Sequence, residues 1–175
     1  MSSPSAFSAV VQCKKMLQNL DRWIDKGQAF AKTKSFEPNV LLSQRLAPDQ
    51  YPLVRQVQGA CDSAKAGAAR LAGKEPPKHP DTETTVDEIH ARIRTVVAYL
   101  ETFKAEDFTG AAERRIDLPF MEGKSILGHD YVVELMMPNF YFHITHAYAI
   151  LRHNGVDVGK MDFIGSMNVI DRMTK

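Results

Sequence analysis

Cysteine is scarce in this chain, which has Cys13 and Cys61 and no others among its 175 residues. Two cysteines cannot build a disulfide framework, which excludes the small disulfide-stabilised folds of secreted proteins. Both fall near the apolar faces of predicted helices, and neither has a histidine beside it in the sequence. We therefore interpret them as small buried hydrophobic side chains in a reducing compartment rather than as catalytic thiols.

The chain also lacks a strong charge of either sign and any long apolar run. A formal net charge of +1 gives no electrostatic reason to expect nucleic acid or an anionic membrane as a partner. No apolar segment approaches the roughly 18–20 residues of a transmembrane helix, and the N-terminus has neither the basic nor the apolar region of a signal peptide. We predict a cytoplasmic protein with one domain, residues 1–175.

Four stretches of the sequence repeat apolar residues at three- and four-residue steps, which is the spacing of amphipathic helices. The first helix is predicted over 5–32, and the last over 130–154 with Gly155 just beyond its end. The second is predicted to start near Asp49 as its N-cap, and the third opens at a capping box that begins with Thr85.

The connections between these helices contain residues that end helices. Glu37-Pro38 begins the first long connection, and the segment 74–81 contains three prolines, so neither continues a helix. Four apolar residues of the first connection are expected to pack back onto the helices: Val40, Leu41, Leu42 and Leu46.

The segment 113–127 departs from helical spacing. Ile116, Leu118 and Phe120 alternate with polar residues, and Glu122-Gly123 supplies a turn, which together predict a small β-hairpin. The fold class is therefore all-α, a four-helix bundle with long crossover connections and a small β-hairpin before the last long helix.

The last predicted helix carries a stripe of polar residues although it is apolar nearly all round. Buried polar groups are costly unless they have partners, so the stripe predicts a site on this helix. Pro138 removes a helical hydrogen bond immediately before the stripe, which predicts a kink or local unwinding there. At about 100° per residue, the residues that share this face are Asn139, His143, His146, Ile150 and His153.

Several motifs in the sequence are similar to those of a known family. These are Arg45-Leu-Ala-Pro-Asp49, Arg55-Gln56-Val-Gln, Pro138-Asn-Phe-Tyr-Phe-His143 and Tyr148-Ala-Ile-Leu-Arg-His-Asn-Gly155. They resemble the DinB/YfiT-like superfamily and, within it, the branch called DUF1993. The resemblance covers nearly the whole chain and implies a bacterial DinB-like four-helix bundle that is often a homodimer.

The resemblance also implies which residues of this chain stand at the metal-ligand positions of the superfamily. Many members of the superfamily bind a divalent metal through three histidines, one on the second helix and two on the last. His143 matches the final one of these, Asn139 stands where its partner histidine would be, and Gln56 occupies the second-helix position. With one ligand of three kept, the site is a degenerate metal site. We predict Gln56, Asn139, His143 and His146 as ligand-binding residues and assign no metal ligand.

Three functions remain open at this stage. The first is a small-ligand pocket between helices two and four, with Tyr51 and Tyr141 as neighbours and histidine as acid or base. The second is a metal- or thiol-dependent transferase or hydrolase in which His143 and His146 hold zinc or nickel. The third is a non-catalytic dimeric interaction module.

A purely structural arrangement of the same residues is a further alternative. Gln56 and Asn139 would hydrogen-bond across the core and fix the register of the helices. His143 would then bond to a carbonyl that Pro138 leaves without its helical partner.

Overall fold

A computed structural model describes residues 6–118 and 120–172 of the chain. Four long helices dominate it: α1 (Ala6–Lys34), α2 (Leu53–Leu71), α3 (Val86–Glu101) and α5 (Met137–His153). Helix α2 packs most extensively against α5, and α1 packs against α3. The predicted four-helix bundle is confirmed. The predicted first residue of α1, Ser5, lies outside the described residues.

Helix α2 begins later than the sequence indicated. Pro52 is its N-cap, with extended backbone angles, and Leu53 is its first residue, so the prediction of Asp49 as N-cap is wrong. A proline disfavours helical geometry in the residue before it. Tyr51 therefore cannot join the helix, which begins only after Pro52. The Leu53 N–H instead donates to the Gln44 carbonyl, 2.9 Å away.

Helix α3 begins at the predicted capping box. The Thr85 hydroxyl accepts from the Glu88 N–H, and the Glu88 carboxylate accepts from the Thr85 N–H at 2.9 Å. The Asn39 side chain accepts from the Val86 N–H at 2.9 Å, which ties the first connection to the start of α3.

That first connection contains a short 3-10 helix, Pro38–Ser43. Leu41 and Leu42 are buried against the bundle as predicted, but Val40 and Leu46 are 50% and 42% exposed. The prediction is therefore wrong for these two residues. A 3-10 helix has three residues per turn, so its adjacent side chains point in different directions, which accounts for the exposure of Val40 beside the buried Leu41 and Leu42. Leu46 lies beyond the end of this helix.

The predicted hairpin is confirmed. Strands β1 (Arg115–Asp117) and β2 (Ser125–Leu127) are antiparallel, with Ile116 paired to Ile126. Gly123 has a φ of 68°, which suits the turn at that position.

The last long helix is continuous from Gly128 to His153 but changes type along its length. A short α4 (Gly128–Asp130) leads into a π-helical segment, Tyr131–Met136, which leads into α5. In this segment the Met137 N–H donates to the Val132 carbonyl, five residues back. Pro138 follows directly, so the local unwinding predicted near it takes the form of a π turn. Gly155, with a φ of 91°, follows the end of the helix as predicted.

The chain after α5 returns to the bundle. Val156 and Val158 are buried, and the short helix α6 (Lys160–Ile164) places Phe163 on Trp23 with ring centroids 5.4 Å apart. Cys13 and Cys61 are both buried and free, and burial raises the pKa of each thiol to about 12. Their interpretation as buried hydrophobic side chains agrees with these values. None of the helices formed by the described residues is long and apolar enough to span a membrane.

Candidate functional site

A groove runs between α2 and the α4–α5 helical run. Small residues on α2 face larger side chains across it: the His143 ring lies against Gly59, and Met136 lies against Gly67. The groove has a volume of about 560 Å³, within the usual range for a small-molecule site. It is lined by Gly59, Asp62, Ser63, Ala66, Arg70, Phe120, Tyr131, Leu135, Met136, Asn139 and His143.

The protonation of His143 follows from the orientation of Gln56. The Gln56 amide Nε2 donates to the Tyr51 carbonyl at 3.1 Å, and a carbonyl can only accept. The other amide atom, Oε1, therefore faces His143 Nδ1 at 2.9 Å, so Nδ1 must carry the hydrogen. In the neutral ring this leaves Nε2 as an acceptor, and it has no hydrogen-bond partner among the residues that the structure describes.

The environment of His143 favours this neutral ring. Burial lowers the pKa of His143 below its ordinary value of 6.5, and the nearby His146 lowers it further, whereas Asp62 acts in the opposite direction. A neutral imidazole can accept a hydrogen bond or a proton through Nε2 near neutral pH.

Gly59 is required for this arrangement, because a Cβ there would stand 2.6 Å from His143 Nε2 and Cε1. Gly59→Ala is expected to push the ring away from Gln56 and to lower the free energy of unfolding by about 1–3 kcal/mol, as overpacking does. Urea denaturation measures the loss. In a His143→Ala background the same change should be neutral or stabilising, since the new methyl group then has room. Equal losses in both backgrounds would rule out the ring contact as the cause.

The other predicted site residues lie around His143 in different roles. Asn139 lines the groove, and its amide donates to the Ser63 hydroxyl at 2.6 Å. His146 donates from Nδ1 to the Phe142 carbonyl at 2.6 Å, and its ring packs on Phe142. Gln56 is fully buried, so it contacts His143 but is closed off from the groove.

The two hydrogen bonds named in the structural alternative do not form among the described residues, although Gln56 and His143 do bond to each other between α2 and α5. Gln56 and Asn139 do not bond to each other, because their amides are engaged with Tyr51, His143 and Ser63. His143 bonds to the Gln56 side chain rather than to a carbonyl near Pro138. The predicted neighbour Tyr51 contributes its carbonyl to Gln56, whereas the Tyr141 hydroxyl accepts from Gln12 on α1.

The donor set does not fit the three-ligand metal site of the superfamily. Both polar atoms of the Gln56 amide are committed inside the fold, and amides are poor ligands for zinc or nickel in any case. The Asn139 amide donates to Ser63. Within residues 6–118 and 120–172, no group of three or more histidine, cysteine or acidic side chains is arranged to hold a metal ion.

The α2 side of the groove was not predicted from the sequence. Gly59, Ser63, Ala66 and Arg70 recur at helical spacing on one face, but small residues on a helix also indicate close packing, so the pattern alone was ambiguous. Phe120 was predicted only as part of the hairpin, yet its side chain lines the groove and is 67% exposed.

A family model for a domain of unknown function, DUF1993, matches residues 7–164. The chain belongs to the DUF1993 family. The match includes both faces of the groove, from Gly59 on α2 to His143 on α5. No match was found among the curated proteins.

This DUF1993 chain is also similar to a solved structure, a crystal structure of a DinB family member protein from Shewanella denitrificans. The two share 50% sequence identity with a TM-score of 0.91, and the match covers 95% of each chain. The resemblance to DinB-like proteins found in the sequence is confirmed.

Proposed function

We propose that this DinB-like protein binds a small organic molecule in the groove between α2 and α5, with His143 as its central contact. The observation that supports the proposal most is the protonation of His143: a neutral ring whose Nδ1 donates to Gln56 and whose Nε2 has no partner among the described residues. A ligand that donates a hydrogen bond would pair with Nε2 in the groove, where the apolar side chains around it strengthen the contact.

Gln56 acts in this proposal as a positioning residue. It is closed off from the groove, and its bond to the Tyr51 carbonyl fixes which amide atom meets His143. That orientation selects the tautomer of the ring. Asn139 and His146 are the other polar residues near His143. Asn139 lines the groove, and His146 lowers the pKa of His143.

The proposal is tested with para-cresol, a neutral molecule that has one hydrogen-bond donor and an apolar ring. Amide NMR shifts of Gly59 and Ser63 report its binding and give its dissociation constant. We expect the affinity to be constant from pH 8 to about 6.5 and to fall at lower pH, because the pKa of His143 lies below 6.5 and the protonated ring no longer accepts.

A matched pair of variants identifies the ring responsible. His143→Ala should weaken para-cresol binding at least about tenfold, since the hydrogen bond to Nε2 and the ring contact are both lost. His153→Ala removes an exposed imidazole from the same helix and should leave binding unchanged. Binding that survives His143→Ala, or that strengthens as the pH falls, would overturn the proposal.

The metal-dependent transferase or hydrolase has one observation in its favour. His143 and His146 both donate through Nδ1, which leaves Nε2 of each as an electron-pair donor. Two imidazoles are fewer ligands than catalytic zinc sites have. Stoichiometric zinc or nickel in untagged protein, lost in His143→Ala, would support this alternative over the metal-free pocket.

The homodimer implied by the family resemblance is a separate proposal. Val133 and Phe142 on the last helical run are both about half exposed, which suits a protein contact. Light scattering on purified protein tests it, and a monomer at micromolar concentration would remove the interaction-module alternative.

A further inference from the structure

Arg70, at the end of the groove away from His143, has no carboxylate partner among the residues that the structure describes. Its Nη1 contacts the Tyr131 hydroxyl at 3.3 Å. The other cations of α2 differ in this respect, because Arg55 pairs with Asp81 and Lys65 pairs with Asp62. The positive charge of Arg70 therefore faces the groove uncompensated.

The one acid that lines the groove does not neutralise Arg70. Asp62 lies 2.8 Å from Lys65 Nζ and 2.9 Å from Arg92 Nη2, and it forms no ion pair with Arg70. An anionic group entering the groove would therefore meet an attractive charge at Arg70, while the cations beside Asp62 weaken the repulsion from that acid.

A second pocket of about 320 Å³ meets the groove at Arg70. Arg114 and Arg115 line it, and Arg114 donates to the carbonyls of Leu71 and Thr109. Glu75 and Asp117 line the same pocket, and Lys74 is paired with Asp107, so the formal charges of the two arginines and the two acids cancel. The attraction for an anion therefore depends on Arg70.

Large apolar side chains line part of the groove between Arg70 and His143. Leu135 and Met136 line its middle, and the Phe120 ring lines it from the hairpin. Gly59 and Arg70 are eleven residues apart on α2, which corresponds to about 16 Å along the helix axis. The contacts at Arg70 and His143 are therefore far enough apart for a chain of several carbon atoms to lie between them, on a surface that also carries the paired polar side chains of Ser63 and Asn139.

We infer that the groove takes an elongated, acidic small molecule: an oxyanion such as a carboxylate binds Arg70, an apolar part contacts Leu135, Met136 and Phe120, and a hydrogen-bond donor at the other end reaches His143 Nε2. The inference rests on the proposed function and adds the chemical class of the ligand. Arginine suits this role because its planar guanidinium binds carboxylates in a bidentate manner.

A series of para-hydroxyphenyl acids tests the inference. Para-cresol is compared with para-hydroxyphenylacetate, para-hydroxyphenylbutyrate and para-hydroxyphenylhexanoate by NMR titration of the unmodified protein. The best acid should bind at least about tenfold more tightly than para-cresol, because a charge-assisted hydrogen bond is added. A phosphonate of the same length shows whether the site prefers a carboxylate or a phosphoryl group.

Variants assign the gain to Arg70. Arg70→Met should remove the advantage of the acids over para-cresol, Arg70→Lys should retain part of it, and Arg152→Met, an exposed arginine of α5, should retain it fully. Circular dichroism confirms that each variant is folded. If para-cresol binds near His143 and no acid binds more tightly, the inference fails and the proposed function stands. If neither para-cresol nor any acid binds, the proposed function fails with it.

Discussion

Replacing Arg92 by methionine is expected to lower the free energy of unfolding by about 3 kcal/mol, the low end of the range for a broken buried ion pair. The Arg92 side chain is only 3% exposed and lies 2.9 Å from Asp62, 3.1 Å from Asp81 and 2.9 Å from Glu83. Without the guanidinium, the three carboxylates lose the positive charge that they share and repel one another more strongly. The cost is at the low end because Asp62 and Asp81 are partly in water.

Arg94 provides the matched control for Arg92. It lies two residues further along α3, pairs with Asp21 at 3.2 Å and is 65% exposed. Arg94→Met should therefore cost less than about 1 kcal/mol. Urea denaturation of the two variants gives both values. Similar losses in the two would mean that burial of the Arg92 ion cluster contributes little to stability.

Gly128→Ala has the second large expected effect, a loss of about 3 kcal/mol, at the upper end of what overpacking costs. An added Cβ would lie 1.8 Å from the Ala111 carbonyl oxygen. That oxygen belongs to the backbone and cannot rotate away. To remove this clash, the segment around Ala111 and the start of α4 would have to move apart. Two backbone hydrogen bonds hold them together, from the Gly128 N–H to the Arg114 carbonyl and from the His129 N–H to the Ala112 carbonyl.

Gly159→Ala is the control for this change. Its nearest heavy atom would be Asp162 Oδ2 at 3.9 Å, which is ordinary contact distance, so it should cost less than about 1 kcal/mol. Thermal unfolding of both variants, monitored by circular dichroism, measures the two losses of stability. A Gly128→Ala protein as stable as Gly159→Ala would show that the junction between hairpin and helix yields easily.

The parts of the fold that were predicted correctly depend on local sequence. The capping box at Thr85 and the alternation around Ile116 act within a few residues, so the start of α3 and the hairpin could be placed. The start of α2 was misplaced because Asp49 has the chemistry of an N-cap while Pro52 controls the backbone. The burial of Leu41 and exposure of Val40 depend on which face of a short 3-10 helix meets the bundle, which no local pattern specifies.

The candidate site was predictable only from its α5 side. The polar stripe on an apolar helix pointed to His143, and the family resemblance pointed to Gln56 across from it. The tautomer of His143 depends on the Tyr51 carbonyl, a backbone group with no signature in the sequence. Arg70 and Phe120 were not predicted as site residues because exposed or half-exposed arginines and hairpin aromatics are common, and only their positions along the groove distinguish them.

The π turn at Tyr131–Met136 changes which side chains of the last helical run lie on the same face. A π turn holds one residue more than an α turn, so the residues before it are rotated by about one helical position relative to those after it. Tyr131 at the Arg70 end and His143 at the other end therefore share one groove only because of this extra residue. Homologues that lack it would present the two ends on different faces of the helix, so the length of this segment decides whether they can have the same groove.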